Sequence, residues 1–147
     1  MNALLQKDGF NVFADILCGE PVKLDGLYVT YSNKAVDSVQ AVDFSTFETL
    51  AKMPGCGYAR VPIRSKKNMG DGRMLFTALR SASDFIGAKP TKRTRLATAT
   101  LVSFGSDPSK DRFVYSSVLK TQIAVVEGSH MVIDLTMSIG GKDVNSK

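Results

Sequence analysis

The sequence predicts a mainly β fold: an antiparallel β-sandwich, jelly-roll-like, with one or two short helices in the N-terminal third. Three observations carry that expectation. Residues 130–139, HMVIDLTMSI, place Ile133, Leu135, Met137 and Ile139 on one face and Asp134, Thr136 and Ser138 on the other. That period of two is what a strand with one dry and one wet face requires. About seven or eight runs rich in β-branched and aromatic residues recur at short spacing between turn signals. Helical spacing is confined to two short stretches, both early in the chain.

From the N-terminus, Phe10, Phe13, Ile16 and Leu17 fall at i, i+3, i+6 and i+7. This spacing predicts a helix over 10–18, interrupted upstream by Asp8-Gly9 and stopped by Gly19 and Pro21. Residues 27–31, LYVTY, read as a strand, and Ser32-Asn33 turns the chain. The second helix is expected over 43–50. Ser45 and Glu48 have capping-box spacing, Phe44, Phe47 and Leu50 share a face, and Pro54-Gly55 ends the segment. A helix that short must pack on a sheet to persist. A strand follows over 57–63, and Pro62 assigns it to an edge or to its own end, since proline cannot donate to a ladder.

Residues 64–72 read as a polar loop with a turn at Gly70-Asp71-Gly72, then a strand over 73–79. Residues 83–90 are loop-like, and the basic run 91–95 leads into a strand over 96–104. The connector 105–111 has strong turn chemistry. Further strands are expected over 112–119, 122–126 and 131–139, the last central in its sheet or paired on both sides. The predicted core is Phe13, Ile16, Leu27, Val29, Leu50, Val61, Leu75, Leu101, Phe113, Val118, Ile133, Leu135 and Met137.

A chain of 147 residues suits one domain with one real core, expected over 1–140, followed by a mobile polar tail at 141–147. Apolar residues make up 44% and charged residues 22%, which excludes a disordered chain. The formal net charge of +5 favours an acidic partner surface but falls short of the dense basic patch of a dedicated nucleic-acid binder. No apolar run approaches a membrane span, and no leader is read at the N-terminus.

Catalytic and metal-binding patterns are missing. Two cysteines, Cys18 and Cys56, and one histidine, His130, do not make a tetrahedral zinc set, and both thiols are expected to be reduced. A Cys-His nucleophile would need His130 beside one of those cysteines. Gly70-Asp71-Gly72 lacks the Lys-Ser/Thr that completes a phosphate loop. Asp107 and Asp111 lack EF-hand spacing for calcium. The expectation is a protein that is not an enzyme, with no catalytic residue, no cofactor and no metal.

The basic residues form two groups: Arg60, Arg64, Lys66 and Lys67, then Lys89, Lys92, Arg93 and Arg95. All but Lys89 are the expected partner contacts, a docking surface for an acidic neighbour. Aromatic residues are not interleaved with them as a stacking platform for bases needs, so nucleic acid is not the favoured partner.

Three stretches carry a resemblance. They are GLYVTYSN following a helix, FSTFETL leading into GYARVPI, and ATLVSFGSDPSKDRFVYSSVL followed by VVEGSHMVIDLTMSI. Together they resemble small virion structural proteins of tailed bacteriophages, in the head decoration or the tail. The resemblance covers most of the chain and is one of arrangement, with no single diagnostic motif. It implies a β-sandwich subunit located in the virion, homo-oligomeric, bound to other capsid or tail proteins, and without an active site. A head or head-surface position is favoured over a tail or head-tail connector position. On that reading the segments 36–42 and 64–73 are arms or contact loops, and Tyr28, Tyr31, Phe113 and Tyr115 are further contact candidates. The rival readings are a small nucleic-acid- or carbohydrate-binding β module and, least favoured, a small hydrolase using Cys or Asp.

Overall fold

A computed structural model describes residues 2–81, 85–120, 122–125 and 130–138. Their elements are β1 (Ala3–Leu5), α1 (Lys7–Leu17), β2 (Gly26–Ser32), α2 (Phe44–Ala51), β3 (Gly57–Pro62), β4 (Ser65–Gly70), β5 (Arg73–Ser81), β6 (Ile86–Gly87), β7 (Arg95–Ser103), β8 (Arg112–Val118) and β9 (His130–Ser138). They build two antiparallel sheets, one of six strands in the order β1-β8-β7-β2-β3-β6 and one of three in the order β4-β5-β9. The fold is mainly β, a sandwich with two short helices, as the sequence predicts. Ile139 and the expected tail at 141–147 lie outside the described residues.

Two dry layers hold the elements together. Leu27, Val29, Ala99 and Leu101 of the large sheet meet Phe76, Ala78, Ile133, Leu135 and Met137 of the small one. On the far face of the large sheet, Tyr28, Tyr58, Val102 and Phe113 pack with Phe47 of α2. β2 is therefore buried on both faces, which is why its sequence is a continuous run and not an alternation. β9 has one wet face, and its residues alternate strictly between exposed and buried. Tyr28 is the hub of the second layer. Its ring lies 4.7 Å from Phe47, 5.0 Å edge-on from Phe113 and 5.6 Å stacked on Tyr58. Tyr28, Tyr31 and Phe113 are thus core and not contacts, and Tyr115 is half-buried.

The first helix differs from expectation in extent and in facing. It starts at Lys7, and Gly9 lies inside it. Gly9 and Val12 form the buried side, pressed on β8, while Phe10 and Leu17 are 64% and 86% exposed. The register between β7 and β8 shifts at Leu101/Val102, so Val114 is the extra residue of a bulge. Its freed carbonyl accepts the N–H of Gln6 at 2.8 Å, and a side chain at position 9 would collide with that same carbonyl. Docking of a small-residue face on a bulge overrides the larger apolar side chains, so Ile16 leaves the predicted core and Phe13 is only partly buried.

α2 forms where expected, but Asp43 caps it. The Asp43 carboxylate accepts the Thr46 N–H at 3.0 Å and the Thr46 hydroxyl accepts the Asp43 N–H, completing a capping box two residues before Ser45 and Glu48. The segment 36–42 is packed and not a free arm. Gln6 donates to Gln40 O at 3.0 Å and accepts the Val42 N–H at 3.0 Å, and Val39 is buried.

The polar loop over 64–72 is instead a hairpin. β4 pairs with β5, and Asp71-Gly72 joins them with φ of 54° and 74°, the left-handed pair of a type I′ turn. Of the strand expected over 122–126, residues 122–125 make only a bridge, Arg95 to Ala124, and Val126 lies outside the described residues. Leu50, Leu75 and Val118 are half-buried, Leu75 because it is on the outer face of β5. Among the described residues β9 is not central: it pairs with β5 alone and forms an edge of the small sheet.

Candidate partner-contact site

The basic residues read from the sequence separate into three environments. Arg60 leaves the contact set. Its Nε donates to Asp111 Oδ2 at 2.6 Å and its Nη2 donates to Asp111 Oδ1 at 2.9 Å. Tyr28 donates to the same carboxylate at 2.5 Å and the Gly105 N–H at 2.8 Å. The Asp111 side chain is fully buried, and the Arg60 guanidinium lies 3.9 Å over the Phe104 ring. Burial alone would push the Asp111 carboxyl up, but the hydrogen bonds from Arg60, Tyr28 and Gly105 outweigh it and hold the group below the usual carboxylate range. Arg60 is held protonated by its bond to Asp111, and Tyr28 is pushed upward by burial and then by that carboxylate. This cluster is a structural clamp. Asp111 is spent on it, and Asp107 caps the adjacent 3-10 turn at Pro108–Lys110, so neither is arranged to hold a cation.

Arg64, Lys66 and Lys67 do face solvent, and β4 is exposed at all six residues. Register explains the exposure. Lys66 stands opposite Phe76 and Asn68 opposite Met74. Directly opposed residues share a face, so Lys66 and Asn68 are on the side of the small sheet that elsewhere meets the large one. Among the described residues no strand of the large sheet covers them, and a groove results. Ile16, Val22, Leu24, Met74 and Phe76 supply apolar lining and Lys23 and Lys66 supply charge around a volume of about 410 Å3, while Lys67 borders the groove from a position opposite Leu75, on the other face of the hairpin. None of those three lysines has an ion-pair partner among the described residues.

Lys92 and Arg93 sit in the turn before β7 and are exposed, and Arg95 opens that strand. The Arg95 guanidinium donates to Gln122 O at 3.4 Å. Among the described residues no hydrogen bond or ion pair joins this group to the β4 lysines.

A second cavity of about 590 Å3 lies between α2, the segment 36–42 and the outer face of the large sheet. Its floor is hydroxyl-rich, but those hydroxyls are engaged with one another. Thr30 and Thr98 are 2.6 Å apart, Thr100 and Ser116 are 2.7 Å apart, and Gln6 donates to Ser116 at 3.0 Å. Cys18 is exposed and Cys56 buried, both as free thiols. Among the described residues no three His, Cys, Asp or Glu side chains come together as a metal-holding group, and no helix is long and apolar enough to cross a membrane.

Comparison with protein-family models, curated proteins and solved structures finds no match to this chain.

Sequence reading found the β4 lysines but missed Ile16, Val22, Lys23 and Leu24 as their companions. The only signal lay in the chemistry of Val22-Lys23-Leu24, a short apolar-basic-apolar run whose neighbour in space belongs to a strand more than forty positions later.

Proposed function

We propose that this protein is a non-enzymatic structural subunit of a tailed-phage virion, in the head or its surface decoration, and that it binds an acidic segment of a neighbouring virion protein in the groove beneath β4 and β5. The observation that supports this most is an apolar floor bordered by lysines, Lys23 and Lys66 foremost, that have no ion-pair partner among the described residues. An apolar lining rewards docked hydrophobic side chains, while solvated cations orient an approaching acidic chain and select against a basic one. A virion subunit also tolerates exposed apolar side chains such as Phe10 and Leu17, because neighbours cover them in the assembled particle. The head position rests on the resemblance alone.

The test is the double reversal Lys66→Glu/Lys67→Glu, followed by counting copies of the subunit per purified particle. The proposal expects fewer copies and a circular-dichroism spectrum like the wild type. Normal incorporation would remove the groove from the contact set. Binding of the free protein to nucleic acid with a steep salt dependence would assign the lysines to phosphates instead.

A further inference from the structure

Among the described residues the two sheets have four edges, and three of them are protected against pairing with another chain. β1 is three residues long and β6 is two. β4 carries Lys66 and Lys67 and its ladder is broken at Asn68/Gly70. Short length, lysines and bulges are the devices that keep edges from joining. β9 has none of them. It is nine residues long, unbroken in register, and free of proline, glycine, lysine and arginine.

Every second residue of an edge strand directs its N–H and C=O away from its sole neighbour. Among the described residues, no backbone hydrogen bond reaches β9 from any element other than β5. The strand's free side opens instead on a cleft of about 330 Å3 lined by residues 132–136, with Val118, Leu119, Lys120 and Ile123 also bordering it. Val132 on the wet face is 60% exposed.

We infer that β9 is a pairing edge for β9 of a second copy of this chain, antiparallel and centred on Leu135. The strand is complementary to itself. Met131, Ile133, Leu135 and Met137 are buried and alternate with exposed neighbours. An antiparallel partner of the same sequence keeps both faces continuous when like faces align. Three central registers do this. Centring on Asp134 opposes two carboxylates, which is unfavourable. Centring on Ile133 sets Asp134 against Val132. Centring on Leu135 sets Leu135 against Leu135, Ile133 against Met137 and Asp134 against Thr136. The last contact repeats one already made within the molecule, where the Thr77 hydroxyl donates to Asp134 at 2.9 Å across the β5–β9 ladder. The net charge of +5 opposes self-association in general, and β9 itself adds no lysine or arginine to that repulsion. The inference stands on this edge and does not depend on the β4 groove or on a virion context.

The register makes the test specific. Thr136 is exposed, so its replacement leaves the core untouched. Thr136→Asp sets Asp against Asp134 twice per dimer and is expected to weaken association roughly tenfold, while Thr136→Lys creates two opposite-charge pairs and tightens it by a similar factor. Sedimentation velocity of the full chain across the micromolar range reads both, with thermal melts as the control for folding. Hydrogen exchange adds a reading independent of variants: in the wild type, amides of 131–138 should gain protection as concentration rises. A wild type that stays monomeric with concentration-independent exchange overturns the inference. So does a dimer indifferent to both substitutions, because it would use another surface. Either failure leaves the β4 groove and its particle assay unaffected.

Discussion

Arg60 and Asp111 form a two-point ion pair between β3 and the entry to β8, with Nε 2.6 Å and Nη2 2.9 Å from the two carboxylate oxygens. The fork geometry lets one arginine fill both oxygens, and Tyr28 and Gly105 complete the shell. Four chain segments are tied at one buried acid. Asp111→Ala is expected to cost about 3 kcal/mol, because it leaves the guanidinium, the phenol and a backbone N–H without their acceptor. Tyr28→Phe removes one bond of four and is expected to cost about 1 kcal/mol. Urea unfolding at an unchanged slope checks both.

The same acid shapes the pH dependence. The folded Asp111 carboxyl titrates below its unfolded value. Its contribution to stability is therefore fully present above the unfolded value, about 3.9, and is lost as pH falls through the folded one. Tyr28 has the opposite sign. Its folded phenol titrates above the unfolded value, so its contribution is full below about pH 10 and is lost as pH rises further. Denaturation over a pH series should show a shallower acid limb in Asp111→Ala and a shallower alkaline limb in Tyr28→Phe.

Gly9→Ala sets helix propensity against packing. Alanine gains about 1 kcal/mol over glycine inside an exposed helix. Here the added methyl would overlap the Val114 carbonyl, a backbone atom held by the Gln6 N–H. Overpacking against an atom that cannot move aside costs about 1–3 kcal/mol, so the net change is expected to be a loss. A higher melting temperature for Gly9→Ala would mean that α1 rides higher on the bulge than described.

Leu135→Ala should cost about 2–5 kcal/mol, since Leu135 is 2% exposed between the two sheets. Ser138→Ala, on the wet face of the same strand, should stay within about 0.5 kcal/mol. Calorimetry of the two variants side by side tests the facing of β9.

Lys92→Glu/Arg93→Glu should leave the melting temperature nearly unchanged, because exposed charges contribute little to folding. If these residues meet an acidic neighbour in the particle, incorporation falls, most visibly at low salt where screening is weakest. Normal incorporation would make them a solvated turn; an unfolded variant would make them structural.

What could be read from the chain and what could not divide along one physical line. Strand identity is local where a run is apolar or β-branched, whereas the mostly polar β4 reads as a loop. The alternation of β9, the β-branched run of β2 and the Asp71-Gly72 turn each record a backbone preference within a few residues, and each appears in the structure. Facing is only partly local. It could be read in β9, whose wet and dry sides differ in polarity, and could not in α1, where a bulge at Val114, far along the chain, selects Gly9 over Phe10 as the buried surface.

The candidate contacts divide in the same way. Charge alone makes Arg60, Lys66 and Lys67 look equivalent, as neighbours on one basic stretch. Tertiary structure separates them, because β3 lies inside the large sheet, within reach of Asp111, while β4 lies beyond its edge over an apolar groove. The sequence by itself determined a mainly β chain with two short helices, since local propensity and period are properties of neighbouring residues. Only the tertiary structure decided which strands became edges, which cations found an acid and which remained unpaired. Those outcomes depend on residues that are distant in the chain and adjacent in space.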